Sequence, residues 1–150
     1  MRLVIQRVKE ASVTIDGKLH SSIGNGLFIL IGVETGDTEA DMEWLASKAA
    51  GMRIFNDGNG VMNRSVVDIG GELLAVSQFT LTASTKKGNR PSYIRAAGHD
   101  LAVPLYGKFC SRLAEITGIP VHEGVFGADM QCALVNDGPV TIIIDSRIRE

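Results

Sequence analysis

Most apolar positions in this chain fall in runs short enough to be strands, and only two stretches carry the longer spacing of a buried helix face. Met1 to Ile15 is rich in β-branched residues, and Asp16-Gly17 supplies a tight-hairpin dipeptide, with Lys18 to Ile23 returning. After Gly24-Asn25-Gly26, the segment Leu27 to Val33 is apolar without alternation, which predicts a strand covered on both faces. Thr38 is placed to cap a helix with Asp41 three residues on. Met42, Leu45, Ala46 and Ala49 then follow at the spacing of one inward face, and Gly51 marks the end. A strand at Arg53 to Phe55, a turn over Asn56 to Gly60 and a strand at Glu72 to Ser77 come next. Thr82 to Ala97 has little periodicity and reads as a long functional loop. A second helix is predicted from about Asp100 to Thr117, with Leu101, Leu105, Phe109, Leu113 and Ile116 inward. Its Pro104 fits in the first turn, and Gly118 with Pro120 ends it. Val121 to Phe126, Gln131 to Val135 and Val140 to Ile144 close the chain as strands. The expected fold is a single α+β domain, with antiparallel β-sheets packed in layers and two main helices, in preference to alternating βαβ units.

Composition narrows the class without changing that picture. At 150 residues the chain can bury roughly two thirds of its unfolded surface, so a core needs no disulfide support. The formal charge of −2 argues against coating nucleic acid by bulk electrostatics, so RNA contact has to be local and no DNA partner is expected. Cys110 and Cys132 lack Cys-x-x-Cys spacing and a nearby histidine, and read as buried free thiols of a reducing compartment. No leader-like pattern opens the sequence and no apolar run approaches the roughly 20 residues that span a bilayer, so a cytoplasmic protein without a membrane partner is expected.

The search for familiar catalytic sets is mostly negative. His20, His99 and His122 are scattered without metal-helix spacing, and Ser77 lacks a Gly-x-Ser-x-Gly context. No metal or cofactor is expected, and any hydrolytic site has to rely on backbone groups. Ser77-Gln78-Phe79-Thr80-Leu81 stands where a strand meets a loop. It is either a strand end with Phe79 in the core or a turn whose amides, near Gln78 and Phe79, converge on the developing oxyanion of an ester under attack. In the second reading Ser77 and Thr80 position the substrate or a water. Asn136-Asp137-Gly138-Pro139-Val140-Thr141 is either a plain turn or a wall of bare backbone facing a ligand. Arg7 reads as a solubilising charge on an edge strand, and Lys86-Lys87-Gly88-Asn89-Arg90 as a solvated basic loop.

These two segments, with Lys87-Gly88-Asn89-Arg90-Pro91-Ser92 and Phe126-Gly127-Ala128-Asp129-Met130, closely resemble the D-aminoacyl-tRNA deacylase family from Met1 to about Asp145. The resemblance implies a partly barrel-like fold and a homodimeric hydrolase with active sites at the subunit interface. Its substrate would be the ester between a D-amino acid and tRNA. Ser77, Gln78, Phe79 and Thr80 would form the catalytic segment. A cis Gly138-Pro139 from the partner would exclude L-amino acids, with Arg7 holding it in orientation. Lys86, Lys87 and Arg90 would contact tRNA phosphates, and Met130 would help form the pocket. Glycyl esters, without a side chain, would escape chiral exclusion. Two readings compete: a nucleic-acid-binding module without catalysis, and a hydrolase of small D-amino acid esters that needs no RNA.

Overall fold

A computed structural model describes residues Met1–Glu150. Strand β1 (Arg2–Ile15) turns at Asp16-Gly17 and returns as β2 (Lys18–Ile23), with the turn residues at φ +50° and +73°. Such paired positive values twist a two-residue turn to match its strands. There follow β3 (Gly26–Gly32), α1 (Glu39–Gly51), a small hairpin of β4 (Phe55–Asn56) and β5 (Met62–Arg64), and β6 (Glu72–Ser77). A 3₁₀ turn (Phe79–Thr82), α2 (His99–Thr117), β7 (Val121–Glu123) and β8 (Gln131–Asp145) complete the chain. At the start of α1 the Asp41 carboxylate accepts the Thr38 amide at 2.8 Å, the reciprocal half of the expected cap.

β1 is the spine of the main sheet. It pairs antiparallel with β8 along nearly its whole length, with β3 over its first half and with β2 over its second. The helices then change the pairing sense: β3–β6 and β6–β7 are parallel, because α1 and α2 return the chain to the same end of the sheet. The sheet is therefore mixed and curls until β2 meets β7, where Ser21 Oγ donates to the Glu123 carbonyl at 2.9 Å. The α+β, partly barrel-like architecture with two helices is the one expected.

Curling divides the core in two. Leu3, Ile5, Leu27, Ile29, Ile31, Leu73 and Ala75 pack outward against Leu45 and Ala46 of α1 and Phe109 and Leu113 of α2. Val8, Val13, Ile23, Phe28, Leu74 and Val76 fill the inside of the curl. β3 is thus covered on both faces, as its unbroken apolar run requires.

Several local expectations change. Ile116 is 38% exposed, because the buried stripe of α2 runs through Tyr106, Cys110 and Thr117. The Thr117 hydroxyl donates to the Leu113 carbonyl at 2.7 Å, turning that face inward. Pro104 lies inside α2 and beyond its first turn; the residue whose carbonyl it fails to bond, Asp100, is exposed to water. Cys110 is buried but Cys132 is exposed, since it opens β8 beside a cavity. The strand after α2 stops at Glu123, and the last two expected strands are one, interrupted by an excursion. The long loop is pinched: Ser84 and Ser92 exchange backbone hydrogen bonds of 2.9 Å in both directions.

Candidate active site

The ends of β3 and β6, the start of α2 and the segment after β7 enclose a cavity of about 550 Å³. Ser77, Gln78 and Phe79 line one side, and Phe126 to Met130 the other. Local bonding explains the shape of the first side. In the parallel ladder Ser77 stands opposite Ile31, and the Gln78 amide extends it by donating to the Ile31 carbonyl at 2.7 Å. The chain then bends: the Leu81 amide donates to the Gln78 carbonyl at 3.3 Å and Thr82 Oγ1 to the Phe79 carbonyl at 2.8 Å. Gly32 permits this, since a Cβ there would lie 2.9 Å from Leu81 Cβ and 3.2 Å from the Gln78 carbonyl oxygen.

This bonding decides which amides of the segment are left open to a ligand. The Gln78 amide already has an acceptor, so it is not available to a ligand. Phe79 and Thr80 open the 3₁₀ turn, and the first amides of such a turn have no acceptor inside it. The Gln78 contribution is instead its side chain, whose Nε2 donates to Thr80 Oγ1 and leaves that hydroxyl free to donate elsewhere. Phe79 is not a core residue: it is 56% exposed and meets Tyr93 edge-to-face at 5.0 Å.

The far wall is aromatic. Phe126 packs edge-on to His99 at 5.4 Å and to Tyr106 at 5.8 Å, and the Tyr106 hydroxyl donates to the Ala75 carbonyl at 3.1 Å. Burial pushes the Tyr106 phenol well above its ordinary range, with Cys110 and Glu123 adding to the effect, so it stays neutral. Burial likewise raises the Cys132 thiol, which therefore presents no thiolate to the cavity. Met130 lines the cavity and packs against the inner core. His99, Tyr106 and Cys132 are not assigned to the site by the sequence. Their only local signal is position at a helix start, in a buried stripe and at a strand start. No group of three or more His, Cys, Asp or Glu side chains is arranged to hold a metal ion.

The second segment lies on the sheet, outside this cavity. Thr141 faces Gln6 and Asn136 faces Val8, so Asp137, Gly138, Pro139 and Val140 loop out opposite Arg7 alone. Asn136 closes the loop, its Oδ1 accepting the Val140 amide at 2.9 Å and its Nδ2 donating to Thr141 Oγ1 at 3.1 Å. Arg7 is 7% exposed on a strand with neighbours on both edges, which overturns the edge-charge reading. Its Nε donates to the Asp137 carbonyl at 2.9 Å and its Nη1 to the Ile54 carbonyl at 2.7 Å, with the Asp137 carboxylate 3.4 Å away. Gly138 has φ +133°, the Gly138–Pro139 bond is cis, and both residues are exposed. Neither lines the cavity of its own chain.

Lys86, Lys87 and Arg90 are exposed at the tip beyond the Ser84–Ser92 pinch. Tyr93, which follows that pinch, touches Phe79, so the basic tip is anchored at the cavity rim.

The chain is similar to known proteins over its whole length. A protein named D-aminoacyl-tRNA deacylase from Parabacteroides distasonis is 61% identical over 150 residues, covering 100% of both chains. A protein of the same name from Porphyromonas gingivalis matches at the same identity and coverage. Among solved structures, one named c-Myc DNA Unwinding Element Binding Protein superposes with a TM-score of 0.92 at 39% identity, covering 97% of this chain and 98% of that one. The family described as D-Tyr-tRNA(Tyr) deacylase matches residues 4–145, which span both the 3₁₀ turn and the Gly138-Pro139 excursion, and the chain belongs to that family.

Proposed function

We propose that this chain hydrolyses the ester joining a D-amino acid to the terminal ribose of tRNA, using the Phe79–Thr82 turn as its oxyanion site. The observation that carries the proposal is the pair of amides that open the 3₁₀ turn, that of Phe79, which lines the mostly apolar cavity, and that of Thr80 next to it. They follow directly on the Gln78–Ile31 sheet bond and have no acceptor within their own turn. As the ester carbonyl becomes tetrahedral its oxygen gains charge, and donors already oriented toward that position stabilise the transition state more than the ground state. In this reading the nucleophile is water. Water is assisted by the substrate's own 2′-hydroxyl, with Ser77 and Thr80 orienting the reacting groups. A 2′-deoxy terminal adenosine is expected to be cleaved far more slowly; cleavage at the normal rate removes the substrate's role.

Chirality is read by exclusion. Gly138 and Pro139 project from β8, away from their own cavity, which supports a homodimer in which they enter the cavity of the partner. Bare backbone there accepts the hydrogen on Cα of a D-amino acid and overlaps the side chain of an L-amino acid. Glycyl-tRNA has no side chain to exclude. Matched D-, L- and glycyl-tRNA assays are expected to show cleavage of the first and third with the second intact. Equal cleavage of D and L esters ends the exclusion mechanism, and a fully active monomer by sedimentation ends the cross-subunit arrangement.

Lys86, Lys87 and Arg90 supply phosphate contacts for the tRNA end, so binding weakens as salt rises, with a slope set by the contacts made. Their position on the cavity rim favours tRNA esters over free D-amino acid esters. No helix is long and apolar enough to cross a membrane, which fits work on tRNA in the cytoplasm. The Gly32→Ala variant tests the dependence on the turn. Its Cβ displaces Leu81 or Gln78, and a misplacement approaching 1 Å is expected to lower kcat on the order of 10²-fold. An unchanged kcat in a folded variant separates the turn from catalysis.

A further inference from the structure

The catalytic turn is held from behind by two arginines outside the cavity. The last residues of the 3₁₀ turn are Leu81 and Thr82, and neither lines the cavity. Arg2 Nη1 donates to the Leu81 carbonyl at 2.8 Å, and Arg95 Nη2 donates to the Thr82 carbonyl at 3.1 Å. Each guanidinium also meets a carboxylate, Arg2 through hydrogen bonds and Arg95 at ion-pair distance only. Arg2 Nε and Nη2 bond Asp145 Oδ2 at 3.0 and 2.7 Å, and Arg95 Nη1 lies 3.7 Å from Glu34 Oε1. The Glu34 side chain is 7% exposed and its other oxygen pairs with Arg147 at 3.2 Å, so this anchor is itself fixed.

Placement in the fold gives the arrangement its meaning. Arg2 stands opposite Gly32 on one side and Asp145 on the other, so one residue joins the end of β3 through its backbone to the end of β8 and the turn through its side chain. β8 is the strand that carries Gly138 and Pro139. Arg95 follows the segment whose Tyr93 packs on Phe79, so the loop holds the turn by ring and by carbonyl. A short turn with few internal bonds leaves its amides free to tilt, and charge-assisted bonds to its last carbonyls remove that freedom.

We propose that Arg2, set by Asp145, and Arg95 are positioning residues that hold the Phe79 and Thr80 amides in their oxyanion-binding orientation. This rests on the oxyanion reading given above. Neither arginine lines the cavity, so their effect reaches the substrate through the turn.

Arg2→Met and Arg95→Met keep most of each apolar stem and remove the guanidinium. Each is expected to lower kcat for D-aminoacyl-tRNA about tenfold or more, while affinity for uncharged tRNA stays within about twofold, since an interaction used only to orient the transition state leaves ground-state binding alone. Arg2→Lys recovers part of the loss, because one ammonium cannot serve the Leu81 carbonyl and pair with Asp145 through a fork. Arg95 is 48% exposed, so its variant folds even if the loss of Arg2 disturbs the sheet. Normal kcat in the folded arginine variants overturns the proposal, as does a loss confined to tRNA affinity, which would make them phosphate contacts. Phe79→Pro, which deletes one of the amides, separates the two failures. If it is inactive beside fully active arginine variants, the clamp alone fails. If it is as active as Phe79→Ala, the oxyanion reading fails and takes the clamp with it.

Discussion

Phe79→Pro lowers kcat for D-aminoacyl-tRNA by about 10²–10³-fold, the usual consequence of deleting one oxyanion donor, whereas Phe79→Ala loses only what the ring contributes. Proline removes a single N–H and is otherwise matched to this place. The first position of a helical turn accepts it, and Gln78, at φ −146° and ψ 85°, is already outside the helical region that a following proline forbids. Alanine controls for the lost contact with Tyr93, so the ratio of the two variants isolates the amide. Single-turnover rates with enzyme in excess over the aminoacyl-tRNA check this. Equal rates for proline and alanine would dismiss the Phe79 amide as a donor.

Gly138→Ala is expected to be comparably damaging without unfolding the chain, because the residue is exposed but its backbone is not free to move. Its φ of +133° is a conformation that side chains rarely adopt, and a Cβ would stand 2.8 Å from Val140 Cγ2 and 3.1 Å from Arg7 Nη2. Arg7 is held by the Asp137 and Ile54 carbonyls, and Val140 by Asn136, so the excursion itself shifts. A shift approaching 1 Å at a wall that admits one hydrogen is expected to lower D-ester cleavage on the order of 10²-fold. Wild-type cleavage would mean that the excursion is not part of the site.

Together the two variants test the shared site. Mixed and allowed to exchange subunits, inactive Phe79→Pro and inactive Gly138→Ala chains form heterodimers in which one site carries both defects and the other carries neither. Activity should return to roughly a quarter of the wild-type value, since half the dimers are mixed and each has one intact site of two. No recovery despite exchange would assign both segments to sites built within one chain.

The arginine behind the excursion illustrates what local reading can and cannot reach. From sequence Arg7 is a lone cation on a strand without an acidic neighbour, and an edge position is the natural inference. Its burial follows from β8, which is more than a hundred residues away in the chain and covers the edge that the sequence leaves open. The Gln78 amide is similar. Its motif marks a strand end with donors nearby, but which donor remains for a ligand depends on the Ile31 carbonyl of a parallel neighbour. Cys132 and Ile116 went the same way: each has an apolar side chain, and only the packing of cavity and helix decides that it faces out.

Properties encoded by short spacings were present in the sequence by itself. These include the Asp16-Gly17 hairpin, the doubly covered strand at Leu27 to Val33, the inward face of α1, and the identity of the two motif segments. Each depends on backbone preference or side-chain periodicity over a few residues, and those interactions are local. The tertiary structure alone decided the parallel pairing of β3, β6 and β7, the aromatic wall of His99, Tyr106 and Phe126, and the grip of Arg2 and Arg95 on the turn. These join residues distant in sequence, and their register is chosen by the packing of two cores and by the pairing of buried charges, for which no spacing along one chain is a record.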